Sequence, residues 1–264
     1  YPGEATYSFG LSGCHMRCAW CRNNILTERI VESASPVPPA SQLVRAAQQA
    51  GAKILCATFT EPLLHDVYIG TAFTTAHEQG LFTLMLTSAY ASPCTWKSLL
   101  PLLDGVKVDL KAVDESGYRS YTRGSLHQVI DNLHAAFDAG VWVELSYVVG
   151  VFQEGVDREV QELRKLLHAS ASGGTPIHLL RYFPASQYRK QSPGHLEDLS
   201  YIADALRADG FNFVYGDLVG EISNMTVCPT CHSTLVERYT GFTIRSRIRD
   251  GKCPNCSQGI PGRW

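Results

Sequence analysis

Seven of the nine cysteines fall in two tight groups. Cys14, Cys18 and Cys21 sit in "GCHMRCAWCRN" (13–23), with three and two residues between them. Cys228-x2-Cys231 and Cys253-x2-Cys256 form the second group. Thiolates are soft ligands that suit zinc or iron–sulfur clusters. Two Cys-x2-Cys knuckles with 21 residues between them make a closed tetrahedral site, for zinc or rubredoxin-like iron, whose role is structural. The first group stops at three. So short a loop can give one thiolate to each of three irons of a cubane and leave the fourth iron open. An open coordination position is what separates catalytic metal sites from structural ones. The competing reading is a structural zinc completed by His15 or a distant ligand, and His15 is badly placed for it because it directly follows Cys14. Cys56 and Cys94 stand alone and read as buried small hydrophobes.

Those groups need elements to hold them. Strand candidates are 5–12, 52–59, 81–88, 105–110, 141–149, 177–182 and 211–216. Helical patterns run over 40–50, 66–79, 95–103, 125–139, 157–168 and 194–209. Gly51, Gly80, Gly140 and Gly210 end helices just before the next strand, as left-handed caps do. The repeat is βα, which predicts an α/β fold: a parallel sheet in an incomplete (β/α)6-type barrel over 1–225, with chemistry at the carboxyl ends of the strands. "KVDLKA" (107–112) alternates, with Val106, Val108 and Leu110 toward the helices and Lys107, Asp109 and Lys111 on the inner face. Unpaired charge there is costly unless it binds a polar ligand or pairs internally. The rhythm changes near 225, and 226–264 reads as a four-cysteine zinc-ribbon or rubredoxin-like hairpin domain stapled by its metal. "SASPVPPAS" (33–41) and "SASGGTP" (170–176) read as surface loops.

Composition narrows the class. Hydrophobic residues make up 45% and charged residues 18%, as in an ordinary globular protein. No apolar run approaches the roughly 18 residues of a membrane span, and no signal peptide is visible. The chain begins at Tyr1 without a methionine, which leaves upstream residues open. A chain this long, with clustered cysteines, points to metal sites in a reducing cytoplasm, not to a disulfide scaffold. Residues 226–264 hold six Lys/Arg and two Asp/Glu, whereas the rest holds seventeen and twenty-three. "IRSRIR" (244–249) would put Arg245, Arg247 and Arg249 on one strand face, either solvated or docking an acidic partner, protein or nucleic acid.

The first motif, with the aromatic Trp20 just before its third cysteine, resembles that of the radical S-adenosylmethionine (SAM) superfamily. "TEP" (60–62), "VDLKA", "VWVEL" and the ending "DGKCPNCSQGIPGRW" resemble the branch grouped with Memo-like and AMMECR1-like proteins, close to pyruvate formate-lyase activating enzymes. The resemblance implies a [4Fe–4S] cluster whose open iron chelates the amino and carboxylate groups of SAM. One electron then cleaves the sulfonium, and a 5′-deoxyadenosyl radical abstracts hydrogen from a substrate. It implies Glu61 near the SAM ammonium, Asp109 and Lys111 near its ribose or carboxylate, and Trp20 in the cofactor loop. It also implies an electron donor such as flavodoxin or ferredoxin. Relatives carry glycines ahead of the "TEP" glutamate and Thr-Asn-Gly where "TSAY" (87–90) stands. Two other functions are compatible with the motifs: an activase that installs a glycyl radical on a partner protein, and a non-catalytic zinc-ribbon binding module. No substrate is fixed by them.

Overall fold

The computed structural model describes residues 1–28, 37–151, 155–216, 224–239 and 242–264. Strands and helices alternate. β1 (Thr6–Phe9) leads to α1 (Asn24–Glu28) and α2 (Ala40–Gln49), β2 (Ile54–Ala57) to α3 (Asp66–Glu78), and β3 (Phe82–Thr87) to α4 (Pro93–Leu99). β4 (Gly105–Leu110) leads to the short α5 (Glu115–Gly117) and to α6 (Leu126–Asp138). β5 (Trp142–Val149), α7 (Val156–Ser170), β6 (Ile177–Arg181), α8 (Leu196–Ala208) and β7 (Val214–Tyr215) follow. The seven strands keep chain order in the sheet, and the registered neighbours are parallel, as a βα repeat requires. Gly51, Gly80, Gly140 and Gly210 all have positive φ, closing their helices in the left-handed conformation that glycine adopts without strain.

Contacts divide the chain into two compact units. The first holds Glu4–Val143 and Pro184–Gln191. Its β2 is buried throughout and is covered by apolar stripes such as Leu43, Val44 and Ala47 on α2 and Ile69, Phe73 and Ala76 on α3. Each large side chain so buried stabilises by about 1.5–3 kcal/mol. β4 alternates as its sequence requires: Val106, Val108 and Leu110 are buried, while Lys107 and Asp109 are only half-buried on the other face. The helix expected over 95–103 starts earlier, because Ser92 caps it by accepting from the Thr95 N–H and Pro93 fits its first turn.

The second unit holds Tyr1–Gly3, Glu144–Phe183 and Ser192–Trp264. Here β8 (Thr226–Val227), β9 (Thr234–Tyr239) and β10 (Phe242–Ser246) form an antiparallel sheet. Its core joins Leu235, Val236, Ile260, Cys228 and Cys253 to Phe213, with Tyr215 packed alongside. The Arg238 guanidinium lies 5.3 Å over the Tyr215 ring, and Tyr215 shares a 2.9 Å hydrogen bond with Thr226. The ribbon therefore borrows apolar surface from the end of the βα series instead of relying on its own few side chains. Of the two expected surface loops, 170–176 forms a turn between α7 and β6, and residues 33–36 of the other lie outside the described residues.

Candidate functional site

The three-thiol loop leaves β1 through Gly13, whose φ of +102° suits only glycine. Its backbone is tied on several sides. Arg17 N–H donates to Thr122 O at 2.8 Å and Ala19 N–H to Tyr121 O at 3.0 Å. Ala19 O accepts from Gln187 and Tyr188 N–H, and the Arg17 guanidinium donates to Cys14 O at 2.5 Å. Trp20 is buried and stacks on Tyr188 with centroids 6.4 Å apart, so it anchors the loop in the core of its unit.

Electrostatics place the three sulfurs, Glu61, Asp109 and Lys111 in one neighbourhood. Burial pushes the Cys14 thiol up to about 12, with Glu61 adding and the Met16 N–H and Lys111 opposing. Burial also raises Cys18, against the pull of Lys111 and with the help of Cys21 and Asp109. Lys111 Nζ pairs with Asp109 Oδ2 at 3.1 Å. Burial works against the Lys111 charge, but Asp109 and Cys18 outweigh it and its pKa is raised. The Lys111 N–H donates to the buried Tyr118 hydroxyl at 3.0 Å.

Glu61 is buried and all its acceptor positions are used. Oε1 accepts from Thr87 Oγ1 at 2.5 Å and Leu63 N–H at 3.2 Å. Oε2 accepts from Ser88 Oγ at 2.6 Å and Ser88 N–H at 3.0 Å. A carboxylate offers about four acceptor sites. Through Thr87 and Ser88 this carboxylate braces the 87–90 turn. Asn132 holds the same turn from α6, donating to Ala89 O at 2.8 Å and Ala91 O at 2.9 Å. Ala89 has φ +54° and Phe59, half-exposed ahead of Glu61, has φ +70°. Each stores about 1–2 kcal/mol of backbone strain.

Further contacts became visible only in the fold. Thr87 and Ser88 are the partners of Glu61, and no spacing rule links 61 to 87. His15 Nε2 is buried with no hydrogen-bond partner among the described residues. Together with three thiols beside one ammonium, this orphan atom fits a loop built around a bound group such as an iron–sulfur cluster. In the second unit Glu144 pairs with His178 at 2.7 Å, Arg181 donates to Gly194 O at 2.6 Å and Tyr182 is buried. Cys56 is buried as expected, but Cys94 is exposed in the first turn of α4, where its side chain projects from the helix.

The four-thiol site is compact. Cys228 Sγ lies 3.6 Å from Cys256 Sγ, Cys231 Sγ lies 3.6 Å from Cys253 Sγ, and all four sulfurs fall within 4.8 Å of one another. Ligands at about 2.3 Å around one tetrahedral ion stand about 3.8 Å apart, so this set could hold a metal ion. Asn255 and Ser233 hydrogen bonds bring the Cys231 thiol down to about 5. At Cys256 the Gln258 N–H favours the thiolate, but lost hydration and the three neighbouring sulfurs carry its pKa up to about 12.

The arginine row differs from expectation. A register shift between Thr243 and Arg245 breaks the alternation, and β10 ends at Ser246. Arg247 and Arg249 thus lie beyond the strand, and Arg247 pairs with Glu237 at 2.7 Å.

Comparison with known proteins adds to this geometry. A family model described as "Radical SAM superfamily" matches residues 10–167. An uncharacterized protein of Methanocaldococcus jannaschii, MJ0808, is 24% identical over 266 residues, which is 98% of this chain and 78% of that protein. The crystal structure of Streptococcus suis SuiB bound to S-adenosylmethionine superposes with a TM-score of 0.63 at 15% identity, over 82% of this chain and 50% of SuiB. The chain thus spans about half the length of SuiB. QueE from Escherichia coli gives a TM-score of 0.50 at 17% identity, over 79% of this chain and 83% of QueE. At such identities the solved structures establish a shared fold. No described helix is long and apolar enough to cross a membrane.

Proposed function

The chain belongs to the radical SAM superfamily, and from that premise we propose that it is an enzyme that cleaves SAM reductively at a [4Fe–4S] cluster on Cys14, Cys18 and Cys21. The observation that carries this reading is the three-thiol loop itself, with mutually interacting sulfurs beside the Lys111–Asp109 ion pair. When bound, cluster and SAM supply an electron and a carbon-centred radical that removes hydrogen from a substrate. The chain's own residues do the positioning. Trp20 and the 121–122 carbonyls fix the loop. Lys111 offers an ammonium to the anionic sulfurs or to a carboxylate, and Asp109 aligns it while offering its carboxylate to ribose hydroxyls. Glu61, through Thr87 and Ser88, shapes the turn that borders the loop. The four-thiol ribbon takes a structural metal. A small electron-transfer protein such as flavodoxin or ferredoxin supplies electrons in a reducing, cytoplasmic setting. Arg245, Arg247 and Arg249 offer an acidic partner an exposed basic edge, in which Arg247 must first leave Glu237.

Anaerobic incubation of the reconstituted, reduced chain with SAM tests this reading. Release of 5′-deoxyadenosine and methionine is expected. A protein that binds four irons and yields neither rejects it.

A further inference from the structure

Resting on that reading, one atom calls for its own account. His15 Nε2 is buried and has no hydrogen-bond partner among the described residues. Folded proteins rarely leave such an atom unpaired, because it forfeits water without replacement. The ring is held in place. It packs against Tyr90 with centroids 5.3 Å apart and planes tilted by 53°. Tyr90 N–H donates to Ser88 Oγ, and Ser88 is bound twice by Glu61. Glu61 N–H reaches Gly13 O at 3.4 Å, which closes the ring of contacts on the thiol loop. The Glu61 brace and the 87–90 turn thus hold in place a side chain that directly follows Cys14.

We propose that His15 donates its Nε2–H to a sulfur of the cluster held by Cys14, Cys18 and Cys21. A hydrogen bond to cluster sulfur stabilises the reduced, more negative state and raises the reduction potential. His15 is then a positioning residue for the electron, and the Glu61–Ser88–Tyr90 chain explains why a glutamate near the site is spent on protein donors.

The test is an EPR-monitored redox titration of the reconstituted full chain without SAM. His15→Phe keeps a ring on Tyr90 and loses the N–H, while His15→Gln keeps an N–H. At the wild-type midpoint, His15→Phe is expected to lower the ratio of reduced to oxidised cluster three- to tenfold, tenfold being 59 mV for a one-electron couple. His15→Gln is expected to keep most of the wild-type ratio. An unchanged ratio in His15→Phe overturns the proposal, and so does a change seen only with SAM present, which would assign the N–H to SAM. If His15→Phe fails to load iron, pulsed EPR of the wild-type reduced cluster decides: 15N-histidine labelling is expected to reveal a coupled nitrogen, and its absence overturns the proposal. A wild-type protein that takes no cluster defeats the parent reading instead. One that cleaves SAM with His15→Phe unchanged in potential defeats this inference alone.

Discussion

The two cysteine sites are built on opposite plans. The four-thiol site gathers its sulfurs within 4.8 Å on two short knuckles, among a core of few side chains. Its geometry is that of one tetrahedral ion, which on the proposed reading is the staple. The three-thiol loop is held by everything around it: carbonyls of Tyr121 and Thr122, the stacked Trp20 and Tyr188, and the turn braced by Glu61. On the proposed reading, one site is closed and held by its metal, and the other is held by the protein so that its metal stays open.

The contrast is broken most sharply by removing ligands. Cys253→Ala is expected to lose the ribbon metal and with it the ordered ribbon, because a structural zinc contributes on the order of 10 kcal/mol to its fold. Changing Cys14, Cys18 and Cys21 together to Ala is expected to remove all iron, about four per chain, and to leave the ribbon metal and the thermal midpoint nearly intact. Metal analysis with limited proteolysis reads both outcomes. Iron surviving the triple change would sink the assignment of the open site.

Glu61→Gln probes the scaffold. The amide presents an N–H group to donors that need an acceptor, and the site is buried. A loss of about 2–4 kcal/mol is expected in denaturant unfolding, with the ribbon metal untouched. A loss below about 1 kcal/mol would mean that the turn stands without its brace.

Asp109→Asn separates ligand binding from scaffolding. SAM binding or cleavage is expected to fall by one to two decades, about 1.5–3 kcal/mol, with the cluster absorption unchanged. Unaltered SAM affinity and cleavage would leave Asp109 as no more than the counter-ion of Lys111.

The smallest effect concerns Glu115, which starts the segment carrying Tyr118, Tyr121 and Thr122. Burial alone would push its carboxyl up. N–H groups of His127 and Leu126, with Arg119 and Ser125, outweigh that and hold it at about 2. Its folded pKa is depressed, so its contribution is complete above about pH 4.5, the ordinary glutamate range, and fades as pH falls toward 2. Glu115→Gln is expected to cost about 1–2 kcal/mol at pH 7 and much less near pH 3. An equal loss at both values would show that its charge plays no part.

Much of this was legible in the chain. Apolar spacing places the helices and strands, since burial of one face is a local pattern. Gly51, Gly80, Gly140 and Gly210 mark helix ends because φ is a property of one residue. Both cysteine groups are readable because ligand spacing within a loop is short-range geometry. The alternation of "KVDLKA" puts Lys107 and Asp109 on the face opposite Val106, Val108 and Leu110. Tertiary structure alone decided what those groups meet. Glu61 finds Thr87 and Ser88 from 26 and 27 residues away, His15 meets Tyr90 across two strands, and Lys111 turns to Asp109 instead of away from it. The arginine row fails as a strand face because a register shift and an early strand end depend on pairing with β9, not on alternation. A sequence carries each side chain's chemistry, but hydrogen-bond partners at long range exist only once the sheet has brought its strand ends together.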